Sequence, residues 1–256
     1  MRMERWNPWW RKEPDVTYET WAKQKIKWIP EEIEELSLQP FSLNFLSGPR
    51  QVGKTTMLKL LVNRILSGEK TGGAVDPRSV FYLSCDELTD YRELGEVLDS
   101  YLRVRDSAGI KSAYIFLDEI TFVGDWWRAV KSRIDDGALS NDVTTVTGSV
   151  SLDLLRQKEN FPGRRGKGRD VVLRPLGFHS YVDSLASGMQ ARATINALRD
   201  TDDVIAANRV HEETLGSLFA RYSSTGGFPL AIREREESSF LYGEYSMKAL
   251  IDGLRG

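Results

Sequence analysis

Eight consecutive residues carry the clearest chemistry in this chain: Gly48-Pro49-Arg50-Gln51-Val52-Gly53-Lys54-Thr55. They match the pattern G-x-x-x-x-G-K-[ST], which average residue frequencies produce by chance in roughly one chain per hundred of this length. The residue types suit a loop that wraps phosphate. Gly48 and Gly53 let the backbone curl until successive N–H groups point at phosphate oxygens. Lys54 puts an ammonium between a β- and a γ-phosphate, and the Thr55 hydroxyl is a hard oxygen ligand for Mg2+. Thr56 is expected to hydrogen-bond an α-phosphate oxygen, and Pro49, Arg50, Gln51 and Val52 complete the cofactor-binding loop. An apolar strand, Leu43–Leu46, runs into the loop and a helical pattern leaves it. The helix N-terminus then adds partial positive charge at the same spot.

A second constellation follows in Tyr114-Ile115-Phe116-Leu117-Asp118-Glu119, four largely apolar residues ending in two carboxylates. Asp118 lies 64 positions beyond Lys54, a spacing that suits a neighbouring strand of the same sheet. Asp118 is expected to hold Mg2+ through a bound water, and Glu119 to orient or deprotonate the attacking water. The pair of motifs marks a P-loop NTPase with an acidic residue beside the metal ligand, a class that usually hydrolyses ATP.

Three further polar signals remain open between two readings each. Thr147, with Ser149 as second choice, either senses the γ-phosphate and places the water or caps a helix over Val150–Leu155. Asp86 is either a polar coupling residue or a plain turn residue. Arg164 and Arg165 stand in the basic loop Gly163-Arg-Arg-Gly-Lys-Gly-Arg169. Arg164 is the candidate that neutralises charge on the transferred phosphoryl group, in cis or from a neighbouring subunit, against the reading of a solvated loop arginine. The run Arg164–Arg169 is alternatively a contact for nucleic-acid phosphate. His179 and His211 have no partner signature and are read as surface or packing residues.

The elements that must position these groups follow from apolar periodicity. Short runs at Ser42–Leu46, Val80–Ser84, Ala113–Leu117, Val143–Thr147 and Val171–Arg174 have the length of buried strands. Helical spacing marks Thr55–Leu66, Tyr91–Tyr101 and Trp126–Ile134. Such alternation predicts an α/β core with a mostly parallel sheet flanked by helices. After Pro175 the strand signal fades. Phe178–Ala186, Ala191–Leu198, Glu212–Tyr222 and Tyr242–Leu254 read as helices, broken by the turn Gly226-Gly227-Phe228-Pro229. The organisation expected is a tryptophan-rich arm over 1–40, a P-loop core over 41–176 and a small helical lid over 177–256. Trp6, Trp9, Trp10, Trp21 and Trp28 concentrate in the arm, which either packs on the core or offers an aromatic surface to a partner. Pro30 with Glu31, Glu32 and Glu34 suits the start of a short helix.

Composition limits the alternatives. The 256 residues carry 35 Lys plus Arg against 37 Asp plus Glu, a formal charge of −2, with 41% apolar residues. That balance fits a soluble globular protein and confines any nucleic-acid contact to a local patch. No apolar run reaches the ~20 residues that span a bilayer. The first residues lack the apolar stretch of a secretory signal. The lone Cys85 suits a reducing compartment, so a cytoplasmic location is expected.

Taken in order, Gly48–Thr56, Leu117-Asp-Glu-Ile120, Thr147-Gly-Ser149, Gly163-Arg164, Arg174-Pro-Leu-Gly-Phe178 and Gly226-Gly-Phe-Pro229 resemble the AAA-like ATPases of the AAA_14 family. Members commonly carry a following DUF4143 domain. Asn7-Pro8-Trp9-Trp10 and Gly124-Asp-Trp-Trp127 look like archaeal members. The resemblance covers residues 40–235 and implies an AAA+-type core with a small helical lid that binds ATP and Mg2+. It carries Lys54, Thr55, Asp118, Glu119 and Arg164 into the nucleotide site, and it supplies the choice of adenine. Two departures stand out: Gly177 and Ser180 replace a serine and a glutamate of the family pattern, and the chain stops at Gly256, where fuller members continue. The function expected is an ATP-hydrolysing molecular switch that binds ATP and ADP. A homo-oligomer, a protein partner or a C-terminal domain would complete it. The competing expectations are a DNA-associated loader using Arg164–Arg169 and a nucleotide-holding scaffold without turnover.

Overall fold

A computed structural model describes residues 3–148, 154, 157–185, 209 and 212–237. Contacts within them gather into two units that divide after Arg174, with Lys25–Trp28 assigned to the second.

The first unit is built on five parallel strands: β1 Ser42–Ser47, β2 Val80–Ser84, β3 Tyr114–Asp118, β4 Val143–Gly148 and β5 Asp170–Val172. Every residue of β1 and of β4 is buried, as expected of a parallel sheet covered on both faces. The strand order is β2-β3-β4-β1-β5. This corrects the expectation that the strand ending in Asp118 neighbours β1: β4 lies between them, pairing with β1 from Ser42↔Val143 to Ser47↔Gly148 and with β3 from Tyr114↔Val143 to Leu117↔Val146. Strand order is set by which crossover packs on which face, and no local run of sequence encodes it.

The crossovers are helical. Helix α2, Lys54–Leu66, leaves β1; α3, Tyr91–Ser107, leaves β2; α4, Trp126–Asp135, leaves β3. The Asp90 carboxylate caps α3 by accepting from the N–H groups of Arg92 and Glu93, which satisfies donors that have no partner within the helix. Helix α3 continues past Tyr101 for six residues. Its apolar face thins there to the buried Leu102, so periodicity stops before the helix does. Between sheet and helices lies one apolar cluster that includes Phe81, Tyr101, Ile115, Trp126 and Phe161. Phe81 and Tyr101 stack with centroids 4.3 Å apart.

The amino-terminal segment packs on this unit. Helix α1, Val16–Lys23, is capped by Asp15, whose side chain accepts from the Tyr18 N–H. Ahead of it, Trp9 and Trp10 both donate their indole N–H to the Val80 carbonyl at 2.9 and 3.0 Å. The Asn7 side chain donates to the Tyr82 carbonyl at 3.0 Å and accepts from the Tyr82 N–H at 2.7 Å. Strand β2 ends the sheet, so its outer backbone groups lack a strand partner, and the arm's side chains serve instead. The packing reading of Trp6, Trp9 and Trp10 therefore holds. Trp28, expected to share it, packs in the second unit. Glu31–Glu34 forms a 3-10 turn.

The second unit contains α5 Phe178–Leu185, α6 Glu212–Thr225 and α7 Pro229–Glu237, around Leu176, Tyr181, Val182, Leu218 and Ile232. The Gly226-Gly227 turn joins α6 to α7. Gly227 is left-handed at φ 76°, and a Cβ there would sit 2.3 Å from the Leu176 carbonyl oxygen. Helix α7 has no counterpart in the sequence reading because Arg233–Glu237 is charged throughout and shows no apolar face. The helices expected at Ala191–Leu198 and Tyr242–Leu254 lie outside the described residues. No helix among the described residues is long and apolar enough to cross a membrane.

Asn7→Ala strips both partners from the Tyr82 backbone. It should lower unfolding stability by about 2–4 kcal/mol, because a buried N–H and a buried carbonyl are left without hydrogen bonds. Chemical denaturation of the two proteins side by side checks it.

Candidate phosphate-binding site

The loop between β1 and α2 turns on two left-handed residues, Gln51 at φ 61° and Gly53 at φ 101°. Gly48 sits where the loop leaves β1 against β5. A Cβ there would lie 2.4 Å from the Leu173 carbonyl oxygen, so this position accepts no side chain without moving the backbone. Gly53 caps α2 and its carbonyl receives the first helical bond, from Met57. The amides of Lys54, Thr55 and Thr56 therefore open the helix without partners inside it.

Lys54 is 4% exposed. Its ammonium donates to the carbonyls of Gly48 and Pro49, each at 3.0 Å. Burial holds its pKa below the ordinary lysine value, and the nearby carboxylates of Glu119 and Asp118 oppose that effect. A buried cation resting on neutral carbonyls is a poor final arrangement. Phosphate oxygens, with full charge, are better acceptors for the same donors.

Asp118, at the end of β3, is 1% exposed and collects three hydroxyls. Thr55 donates to its Oδ2 at 2.6 Å, Tyr82 donates to the same oxygen at 2.7 Å, and Thr147 donates to Oδ1. Thr147 also accepts the Glu119 N–H at 2.9 Å. Burial, followed by the Asp118 charge, drives the Tyr82 phenol far above its ordinary pKa, so it remains a donor. Glu119 itself adopts φ 53° and ψ 40° at the head of a 3-10 turn over Ile120–Phe122. A left-handed glutamate is an outlier of the kind that accumulates at functional sites.

The structure thus brings Lys54, Thr55, Asp118, Glu119 and Thr147 to one rim of the sheet, with Gly48–Thr56 forming its wall. Thr147 faces the two acidic residues. Its oxygen is committed to Asp118 and to the Glu119 amide, and the residue is fully buried. Its contacts are to Asp118 and the Glu119 backbone, whereas one of its two readings had it meeting γ-phosphate. The alternative reading of this hydroxyl as a cap, like the Ser149 reading, involves positions outside the described residues. His211 lies outside them as well, and His179 is half-exposed beside Asp183. Asp86 accepts from the Ser84 hydroxyl at 2.6 Å, which is turn chemistry.

Arg164 requires a correction. Its loop runs along the other end of β1: the Arg165 carbonyl accepts from Leu43 N–H and the Phe41 carbonyl from Lys167 N–H. At a rise of ~3.3 Å per residue, Leu43 lies about 16 Å from Gly48. Arg164 therefore cannot reach the phosphate loop of its own chain. It pairs with Asp135, at the end of α4, with 2.5 Å between Nε and Oδ1. Arg165 pairs with Asp170 and lies over the Phe45 ring. Both arginines are paired within the chain at partly exposed positions. The residues missed by sequence reasoning are Tyr82 and Lys59. Each sits in an apolar strand or helix whose pattern announces packing alone.

An AAA domain family model, AAA_14, matches residues 40–182, more than half of the chain. The chain belongs to this family. No curated protein sequence matches it. Among solved structures, C. elegans PCH-2 is similar at 15% identity, over 94% of this chain and 72% of that one, with a TM-score of 0.51. The Aeropyrum pernix ORC2 protein, solved in ADPNP-ADP complexes, aligns at 13% identity over 88% and 69% of the two chains. Its TM-score is 0.45. The five-stranded parallel sheet with flanking helices is that of P-loop AAA+ proteins, and family and fold together support nucleotide binding in general terms.

Replacing Thr147 by Val keeps the shape but leaves Asp118 Oδ1 and the Glu119 N–H unpaired. Unfolding stability should fall by about 2–4 kcal/mol, whereas Thr147→Ser should stay within about 1 kcal/mol of wild type. Thermal and urea melts of the three proteins test the difference.

Proposed function

We propose that this AAA domain binds ATP with Mg2+ and hydrolyses it, acting as a molecular switch. The observation that carries the reading is the 2.6 Å pair of Thr55 hydroxyl and Asp118 carboxylate beside the buried Lys54 ammonium. Hydroxyl and carboxylate are hard oxygen donors, and Mg2+ is typically bound by one or two such groups together with substrate phosphates. The residues fit the ion: Thr55 and Asp118 would hold it. Such an ion would supply positive charge against the phosphates as negative charge develops there.

The remaining chemistry belongs to the chain. The amides opening α2 and the Lys54 ammonium bind the phosphates. Glu119 orients a water and takes its proton as the water oxygen bonds the γ-phosphorus and the bond to ADP breaks. The Thr147 hydroxyl, joined to the Glu119 amide and to Asp118, fixes the two carboxylates relative to each other. Arg164, remote from its own loop, is left with one route to phosphate: the site of a neighbouring copy.

Lys54→Ala should abolish both nucleotide binding and turnover. Glu119→Gln should keep binding and lower turnover by about 10²–10⁴-fold, the usual worth of a general base; equal turnover in wild type and Glu119→Gln overturns the assignment of the base. Mixing Arg164→Ala with Glu119→Gln should restore part of the turnover that each lacks alone, because one chain retains a working site and the other a working arginine. Absence of such complementation removes the neighbouring-copy role of Arg164.

A further inference from the structure

The amino-terminal arm and the phosphate site meet at one residue. Tyr82 has its backbone N–H and carbonyl both taken by the Asn7 side chain. Its hydroxyl donates to Asp118 Oδ2 at 2.7 Å. Its ring lies under the Lys59 ammonium, 3.3 Å from ring centroid to nitrogen. Lys59 belongs to α2, five positions after Lys54, and is 6% exposed. A cation so buried needs compensation, and the arm supplies most of it. Asp15 Oδ2 stands 3.0 Å from its nitrogen, the Trp6 carbonyl accepts from it at 3.4 Å, and the Trp9 ring centroid lies 5.0 Å away. The charges facing Lys59 are Asp15 on the arm and Asp118 on β3.

We propose that Tyr82 is a positioning residue for Asp118, and that the seated arm, through Asp15, Lys59 and Tyr82, sets the affinity of the site for Mg2+ with nucleotide. The proposal rests on the reading of the loop as a Mg·ATP site. Two physical steps compose it. The Tyr82 hydroxyl holds the Asp118 oxygen that also meets Thr55, so the two oxygen donors keep their spacing before any ion arrives. Asp15 holds Lys59 on the arm side of the Tyr82 ring. When Asp15 is lost or the arm lifts, the strongest attraction left to Lys59 is Asp118, and an ammonium drawn there competes with the metal for the carboxylate. A partner that takes hold of the arm would thereby lower metal affinity, and by reciprocity the Mg·nucleotide complex would tighten the arm.

The test uses the full chain and a fluorescent N-methylanthraniloyl ATP, titrated once with excess Mg2+ and once in EDTA. Wild type should bind more tightly with Mg2+. Tyr82→Phe keeps the ring and removes one hydrogen bond to a charged group, so its affinity with Mg2+ should fall about tenfold while its affinity in EDTA stays that of wild type. Asp15→Asn still caps α1 but carries no charge; it should shift the Mg2+ arm in the same direction by less, which keeps the proposal testable if Tyr82→Phe folds poorly. Hydrogen exchange over residues 5–18 should slow on adding the Mg2+ complex to wild type and change little in Tyr82→Phe. Equal losses with and without Mg2+ would mark a merely structural tyrosine and overturn the proposal, as would two variants that bind like wild type. A wild-type chain that binds no nucleotide in either buffer overturns the Mg·ATP reading itself, an outcome distinct from a wild type that binds and variants that match it.

Discussion

A carboxylate withdrawn from water must recover in hydrogen bonds what it loses in hydration. Asp118 does so with hydroxyls from three elements, Thr55 on α2, Tyr82 on β2 and Thr147 on β4. That requirement constrains the rest of the rim. The strands must run parallel so that their carboxyl ends arrive together, and the registers Ser84↔Asp118 and Leu117↔Val146 must hold. A slip of one residue would turn Tyr82 or Thr147 to the opposite face of the sheet and leave the carboxylate short of a partner. Polar networks of this kind are sensitive to incompleteness: each member is cheap to bury only while the others are present. The site's donor set and the sheet's register are therefore one constraint, met from both sides.

Glu119 shows the same economy on the backbone. The chain leaves β3 through a left-handed residue that is neither glycine nor asparagine, a conformation with a cost of order 1–2 kcal/mol. The Thr147 hydroxyl accepts the Glu119 N–H, and the turn over Ile120–Phe122 closes with bonds from Phe122 to Glu119 and from Val123 to Ile120. The single oxygen of Thr147 thus fixes the side chain of one acidic residue and the main chain of the next.

The parts legible in the sequence were those whose chemistry is local. Gly48–Thr55 is one continuous turn, so residue types and geometry coincide. Asp118-Glu119 ends an apolar run, and a run's end can be read directly. The strands were found because full burial leaves little but apolar residues in them. What escaped depends on association across the chain. The order β2-β3-β4-β1-β5 inserts β4 between the two motifs, and the return of β5 along β1 carries Arg164 to the far end of the sheet; neither fact is written in any window of sequence. Tyr82 reads as one more aromatic in a buried strand and Lys59 as one more lysine on an amphipathic helix. Their meaning arises only when α2, β2 and the arm converge. Helix α7 escaped for the opposite reason: its charged surface has no periodicity to detect, and the Gly226-Gly227 turn ahead of it reads as an ending.

An exposed sheet edge invites pairing with other chains, and proteins blunt it by covering or twisting it. Here the cover is made of side chains: one amide imitates a strand residue at Tyr82, and two indoles share the Val80 carbonyl. Side-chain cover differs from a sixth strand in a way that matters. A strand would add a ladder of mutually supporting bonds and be hard to remove, whereas this cover rests on a few bonds concentrated at two residues. The edge is protected by a segment whose attachment energy comes from these bonds together with the stacking of Trp10 on Phe81 and Tyr101 and the Asp15–Lys59 pair. Because one of those two residues also holds Asp118, that attachment energy and the geometry of the carboxylate draw on the same contacts. Local opening of the arm thereby has a direct physical path to the phosphate site, without any displacement of the sheet.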